Sequence, residues 1–152
     1  GRNQRSDPEG GWHHVMNRGA ARRPIFFTAR DGHTFEALMS VCSERHGVEI
    51  HAHCLMTNHF HLLLHCPEGG LSEFMHDLSA SYARHANAQK GTDGPIFRGR
   101  FRSLVIDSDR HLAGVGRYIH RNPKDLPGVV DLAGYRWSSL PDSPGAGLVL
   151  GG

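Results

Sequence analysis

Residues 48–66 read VEIHAHCLMTNHFHLLLHC, and the way this stretch divides decides the fold. From Val48 to Met56 the residues alternate, with Val48, Ile50, Ala52, Cys54 and Met56 on one side and Glu49, His51 and His53 on the other. The alternation resumes after Asn58, with Phe60, Leu62 and Leu64 on one side and His59, His61, Leu63 and His65 on the other. A period of two through both runs, broken only by Thr57 and Asn58, predicts two neighbouring antiparallel strands.

On either side the period lengthens. Phe35, Leu38, Met39 and Cys42 fall at i, i+3, i+4 and i+7, which predicts a helix from Asp31 that Gly47 stops. Leu71, Phe74, Met75, Leu78, Tyr82 and His85 or Ala86 trace one stripe of a second helix of about four turns, ended near QKGTDGP (89–95). WHHVMNRG (12–19) has extended character, and RRPIFFTAR (22–30) follows as a loop with an apolar knot. IFRGRFRSLVI (96–106) returns to strand character. Asp107 or Ser108 can then cap a third helix with Leu112, Val115 and Ile119 inward, closed by Pro123.

Strand, helix, strand, strand, helix, strand, helix predicts an α+β sandwich, an antiparallel sheet with helices packed on one face. One domain is expected over residues 12–140, after a loose polar leader (1–11) and before a flexible Gly/Pro-rich tail (141–152).

Composition narrows the class. The net charge is only +2, yet arginine outnumbers lysine fifteen to two, and the planar guanidinium suits phosphate. Cys42, Cys54 and Cys66 form no C-x-x-C and sit in apolar surroundings, as buried free thiols of a reducing compartment do. There is no apolar run of the ~18 residues a membrane crossing needs, and no signal-peptide pattern. A soluble, cytoplasmic protein with no membrane partner is expected.

Thirteen histidines are too many for one site, so position must sort them. His59 and His61 share a strand face, where two imidazoles can hold one divalent metal; equally, an H-x-H can be the polar face of a half-buried strand. No zinc-finger spacing completes a closed tetrahedral set. A two-histidine site needs a further ligand and leaves coordination positions open, as catalysis requires.

GRYIHRNP (116–123) sets Tyr118 and Asn122 four apart, on one face if the helix persists. Pro123 places Asn122 at the helix terminus, so the pair is either a convergent tyrosine and amide or a core tyrosine followed by a helix stop. Gly114 and Gly116 each weaken this helix by about 1 kcal/mol relative to alanine, so either another backbone packs close or the helix moves. Arg98, Arg100 and Arg102 fall on one strand face, which is either solvated or a phosphate track.

LMTNHFHLLL, FRGRFRS, RYIHRNP and YRWSSL, in this order and spacing, resemble the single-tyrosine HUH transposases, most closely the REP-associated tyrosine transposases. The resemblance runs from about Trp12 to Leu140 and implies a ferredoxin-like (RRM-like) fold acting on single-stranded DNA. It implies His59 and His61 as metal ligands, Tyr118 as nucleophile and Asn122 as the residue completing the metal shell. Broader relatives carry an acidic residue three before the first of these histidines. Here it is Met56, as in the REP-associated branch, which puts the third ligand on Asn122 or water.

The implied activity is a divalent-metal-dependent (Mg²⁺ or Mn²⁺) nicking and rejoining of DNA beside hairpins through a 5′-phosphotyrosine, by a monomer or a homodimer. Arg98, Arg100 and Arg102, with Arg18, Arg22 and Arg23, are the candidate phosphate partners. Tyr82 and Tyr135 read as packing residues. The alternative is a domesticated, non-catalytic hairpin-binding module on the same fold, and a histidine-rich metal-storage or hydrolase domain is a third possibility.

Overall fold

The structure is a computed structural model that describes residues 10–121; within its last helix the side chains of Tyr118, His120 and Arg121 are not among the parts described. The leader to residue 9, Asn122, Tyr135, the YRWSSL block and the tail over 141–152 also lie outside the described residues.

Residues 48–66 form the two strands that their alternation predicts, β2 (Glu49–Met56) and β3 (His59–Cys66), paired antiparallel across Thr57 and Asn58. β1 (Gly11–Arg18) lies antiparallel against β3, and β4 (Arg102–Ile106) against β1, giving the order β2-β3-β1-β4. Helices α1 (Ala29–His46), α2 (Leu71–Lys90) and α3 (Asp109–Arg121) complete the α+β fold.

The helix ends follow local chemistry. The Thr28 hydroxyl accepts from the Asp31 N–H and Asp31 accepts from the Thr28 N–H, a capping box at the start of α1. Gly47 (φ 64°) and Gly91 (φ 68°) end α1 and α2 in the left-handed conformation that glycine adopts without steric cost. Ser108, one of the two expected caps, accepts from the His111 N–H and starts α3.

α1 and α2 bury their stripes against one sheet face. Phe35, Met39 and Cys42 meet Leu71, Phe74, Met75, Leu78 and Tyr82 over Val15, Phe60, Leu62 and Leu64. Each large side chain fully buried here contributes about 1.5–3 kcal/mol. α3 differs from the expectation that all helices share a face. Its Leu112, Val115 and Ile119 pack on the opposite face, against Ala52, Cys54, Met56, Leu63 and Ile106. A sheet whose β2–β3 end is apolar on both sides needs cover on both.

Two further differences arise in the strands. Ile50 pairs with Leu64 and Ala52 with Leu63, so His51 is an extra residue, a β-bulge. Strict alternation would keep Val48 and Ile50 with Ala52, Cys54 and Met56; the bulge instead sends them to the α1–α2 core. The strand expected over 96–106 shortens to Arg102–Ile106, because the pairing with the β1 chain shifts register. It resumes only as a single antiparallel bridge between Gly19 and Phe97, beside the bond from the Arg98 N–H to the Arg18 carbonyl, and Phe97 turns into the α1–α2 core. Cys42, Cys54 and Cys66 are buried, as expected, with no disulfide among the described residues, and burial raises the Cys54 thiol pKa to about 12. No helix among the described residues is long and apolar enough to cross a membrane.

Candidate functional site

The alternation of β3 sends Phe60, Leu62 and Leu64 into the α1–α2 core and so leaves His59 and His61 on the opposite face, beneath α3. Their rings lie 5.2 Å apart at 84°. Across the sheet His61 pairs with Met16 of β1 and Cys54 of β2, and His59 with Arg18 and Met56. The site therefore sits at the centre of the sheet, on strands hydrogen-bonded on both sides.

Each imidazole is held from behind. His59 Nδ1 lies 2.8 Å from Asn58 Oδ1; an amide oxygen only accepts, so Nδ1 carries the proton and Nε2 keeps the lone pair. His61 Nδ1 lies 3.0 Å from His14 Nε2, with the two rings stacked at 5.2 Å and 29°. Metal-bound histidines are oriented this way, through the nitrogen that does not ligate. Burial lowers the pKa of His59, and burial, then His14 and His59, bring that of His61 down to about 3. Both rings are thus neutral at neutral pH, the form that binds metal. On these observations the pair fits the divalent ion that the family resemblance implies.

His14 does not stand out in the sequence. Its neighbour His13 is equally histidine, and one of the two must face each side of β1. Pairing decides it: Val15 is buried in the α1–α2 core, so His13 is buried on that side and His14 on the other. Burial and then His111, near the start of α3, lower the His14 pKa. Asn58 carries no signal of its own either, because a turn asparagine is usually explained by backbone geometry alone.

The remaining expected residues divide. Tyr118 lies in α3, which covers the face that carries His59 and His61. Asn122 follows the last described residue. Arg18 and Arg102 stand on that same sheet face, both beside the row of Met16, and with Arg98 they line one depression of about 90 Å³. Burial, then Arg98, Arg22 and Arg102, lower the Arg18 pKa, which marks these four guanidiniums as a concentrated positive field. Arg23 is exposed just beyond the 3-10 turn Ala20–Arg22.

Arg100 does not join them. With β4 starting only at Arg102, the three arginines do not share a strand face. Arg100 instead lines a separate cavity of about 410 Å³ with Asn17, Ser72, His76 and Ser79. At Gly114 a Cβ would meet only an Arg117 guanidinium nitrogen, 4.0 Å away, so close backbone packing does not account for that glycine. Tyr82 is fully buried and donates to the Ile25 carbonyl at 2.5 Å, a packing residue as expected.

Residues 10–122 match the family model described as "Transposase IS200 like". No curated protein matches the chain. Among solved structures, a REP-associated tyrosine transposase bound to a REP hairpin superposes with a TM-score of 0.79 at 18% identity, over 97% of this chain and 87% of that one. A crystal structure of a candidate transposase from Deinococcus radiodurans superposes with a TM-score of 0.53 at 17% identity, over 80% and 95%. At these identities the superpositions bear on the fold, and they agree with the four-stranded antiparallel sheet and its helices.

Proposed function

We propose, for a chain that belongs to the IS200-like transposase family, that it nicks and rejoins single-stranded DNA next to a hairpin through a covalent bond to Tyr118. The observation that supports this most is spatial. The helix bearing Tyr118 packs on the one sheet face that presents His59, His61, Arg18 and Arg102.

The chain's own groups divide the work as follows. The guanidiniums of Arg18, Arg98 and Arg102 draw the backbone phosphates onto the sheet. The Tyr118 hydroxyl attacks the scissile phosphorus; the Oη–P bond forms as the bond to the 3′ oxygen breaks, and the departing 3′ oxygen takes a proton to become a hydroxyl. Because the phosphotyrosine is still a phosphodiester, a second 3′-hydroxyl can attack it, restoring a DNA phosphodiester and the free tyrosine. His59 and His61, with Asn122 as the expected third ligand, would hold a Mg²⁺ or Mn²⁺ ion, which supplies charge neutralisation at the scissile phosphate. Hairpin DNA as the partner is supported by the REP hairpin bound to the structural relative.

The deciding experiment is incubation of a 5′- and 3′-labelled hairpin oligonucleotide carrying a single-stranded flank with the protein and Mn²⁺. A denaturation-resistant protein–DNA adduct is expected with the unaltered chain and none with Tyr118→Phe, which should still shift the hairpin on a native gel. An adduct from Tyr118→Phe excludes this nucleophile, and binding without nicking by the unaltered chain excludes the catalytic reading.

A further inference from the structure

A second histidine group occupies the far end of the same two strands. His51 Nε2 lies 2.9 Å and His65 Nδ1 2.8 Å from one oxygen, Oε1 of Glu49. All three ligand atoms fall within 4.8 Å of one another. His65 is four residues beyond His61, about 13 Å along the strand, so these side chains are separate from the His59–His61 pair.

We propose that Glu49, His51 and His65 form a second metal site, which takes a divalent first-row transition ion such as Zn²⁺ or Ni²⁺ and ties the start of edge strand β2 to the end of β3. Three features of the chain carry this. First, two of the three spacings are already those of a coordination shell: ligands about 2.1 Å from an ion and at right angles are about 3.0 Å apart, close to the 2.9 Å and 2.8 Å that separate the two nitrogens from the Glu49 oxygen.

Second, the rings are preset. Trp12 of β1 stacks on His65 at 4.6 Å and 20° and also touches His51 at 4.6 Å and 44°, so both imidazoles are held from one side before an ion arrives. Third, the bulge at His51 builds the group. It keeps Glu49 and His51 on the His65 side while sending His53 to the other face, where it pairs with Glu36 of α1.

The chemistry of the donors sets the ion. Two imidazoles and one carboxylate favour zinc, nickel or copper over magnesium or calcium, which prefer all-oxygen shells. Glu49 is 52% exposed at its side chain, so solvent or an incoming ligand can fill the remaining positions. This site is independent of the proposed nicking activity, and neither stands or falls with the other.

The test uses the full, tag-free chain in saturating Mg²⁺. Ni²⁺ is titrated by calorimetry and by quenching of tryptophan fluorescence, since the open d shell of Ni²⁺ quenches an adjacent indole. We expect Ni²⁺ binding that quenches, a tenfold or greater loss of affinity in Glu49→Gln and in His65→Ala, and retention of this binding in His59→Ala. Trp12→Phe should bind Ni²⁺ with most of the quenching gone. Glu49→Gln is a near-isosteric change at an exposed residue, so it tests the site even if His65→Ala fails to fold. Equal Ni²⁺ affinity in Glu49→Gln and the unaltered chain, or loss of all binding in His59→Ala, overturns the proposal.

Discussion

His14 Nε2 stands 3.0 Å from His61 Nδ1, joining β1 to β3 through two stacked imidazoles. His61 is fixed between strands, and His14 limits how its ring can turn. Removing it should loosen the proposed metal pair without deleting either of its proposed ligands.

His14→Ala is therefore expected to weaken Mn²⁺ binding at His59 and His61 by about 10–100-fold, the usual cost of losing a partner behind a metal-bound histidine. Calorimetry with Mn²⁺ measures this directly, and His14→Gln, which keeps a polar group in place, should recover part of the loss. Unchanged affinity in His14→Ala removes His14 from the site.

The arginines make a comparative prediction. Arg18, Arg98 and Arg102 share one depression, whereas Arg100 lines another cavity. Arg98→Ala and Arg102→Ala each remove one cation proposed to meet the DNA backbone, and each should reduce the slope of log affinity against log salt by about 0.7–0.9. Arg100→Ala should leave the slope nearly as it was. Hairpin binding measured by fluorescence anisotropy over a range of salt concentrations checks both, and equal effects at 100 and 102 contradict the division.

Asp31 anchors a region remote from the proposed chemistry. Its carboxylate accepts from the N–H groups of Phe27 at 2.8 Å and Thr28 at 3.1 Å, and it meets His85 Nε2 at 3.0 Å. Burial pushes its pKa up, but these hydrogen bonds outweigh burial and hold it below the ordinary value. A depressed carboxylate contributes stability above its unfolded pKa of about 3.9, and loses it as pH falls through the lower folded value. Asp31→Asn should cost about 1–3 kcal/mol at pH 7 and less as pH falls below the unfolded value of about 3.9, as measured by urea unfolding across that range.

Tyr82→Phe removes the hydroxyl that donates to the buried Ile25 carbonyl and leaves that carbonyl unpaired. A loss of about 1–3 kcal/mol in chemical denaturation is expected, with adduct formation intact. Burial already raises the Tyr82 pKa, so this phenol is a poor nucleophile as well as a distant one. Loss of the adduct in a folded Tyr82→Phe would reopen the choice of nucleophile.

Much of the fold is visible in local order alone. Periods of two and of about 3.6 place the first two helices and the central strands, and Gly47 and Ser108 mark boundaries that the structure keeps. The side on which α3 packs is not visible, because its Leu112, Val115 and Ile119 stripe announces only that it needs an apolar surface. The sheet offers one on each face. The bulge at His51 is hidden for a related reason. Strict alternation and a one-residue slip both leave apolar side chains buried when both faces of a strand are covered.

By itself the sequence determined that His59 and His61 share a face, since residues two apart on a regular, unbulged strand point the same way. Only the tertiary structure decided what stands behind and beside them: His14 rather than His13, Arg102 and Arg98 but not Arg100, and α3 overhead. Those choices rest on cross-strand register and on which face each helix covers. His14 and His61 are 47 positions apart, and a pairing over that distance leaves no trace in the spacing along the chain.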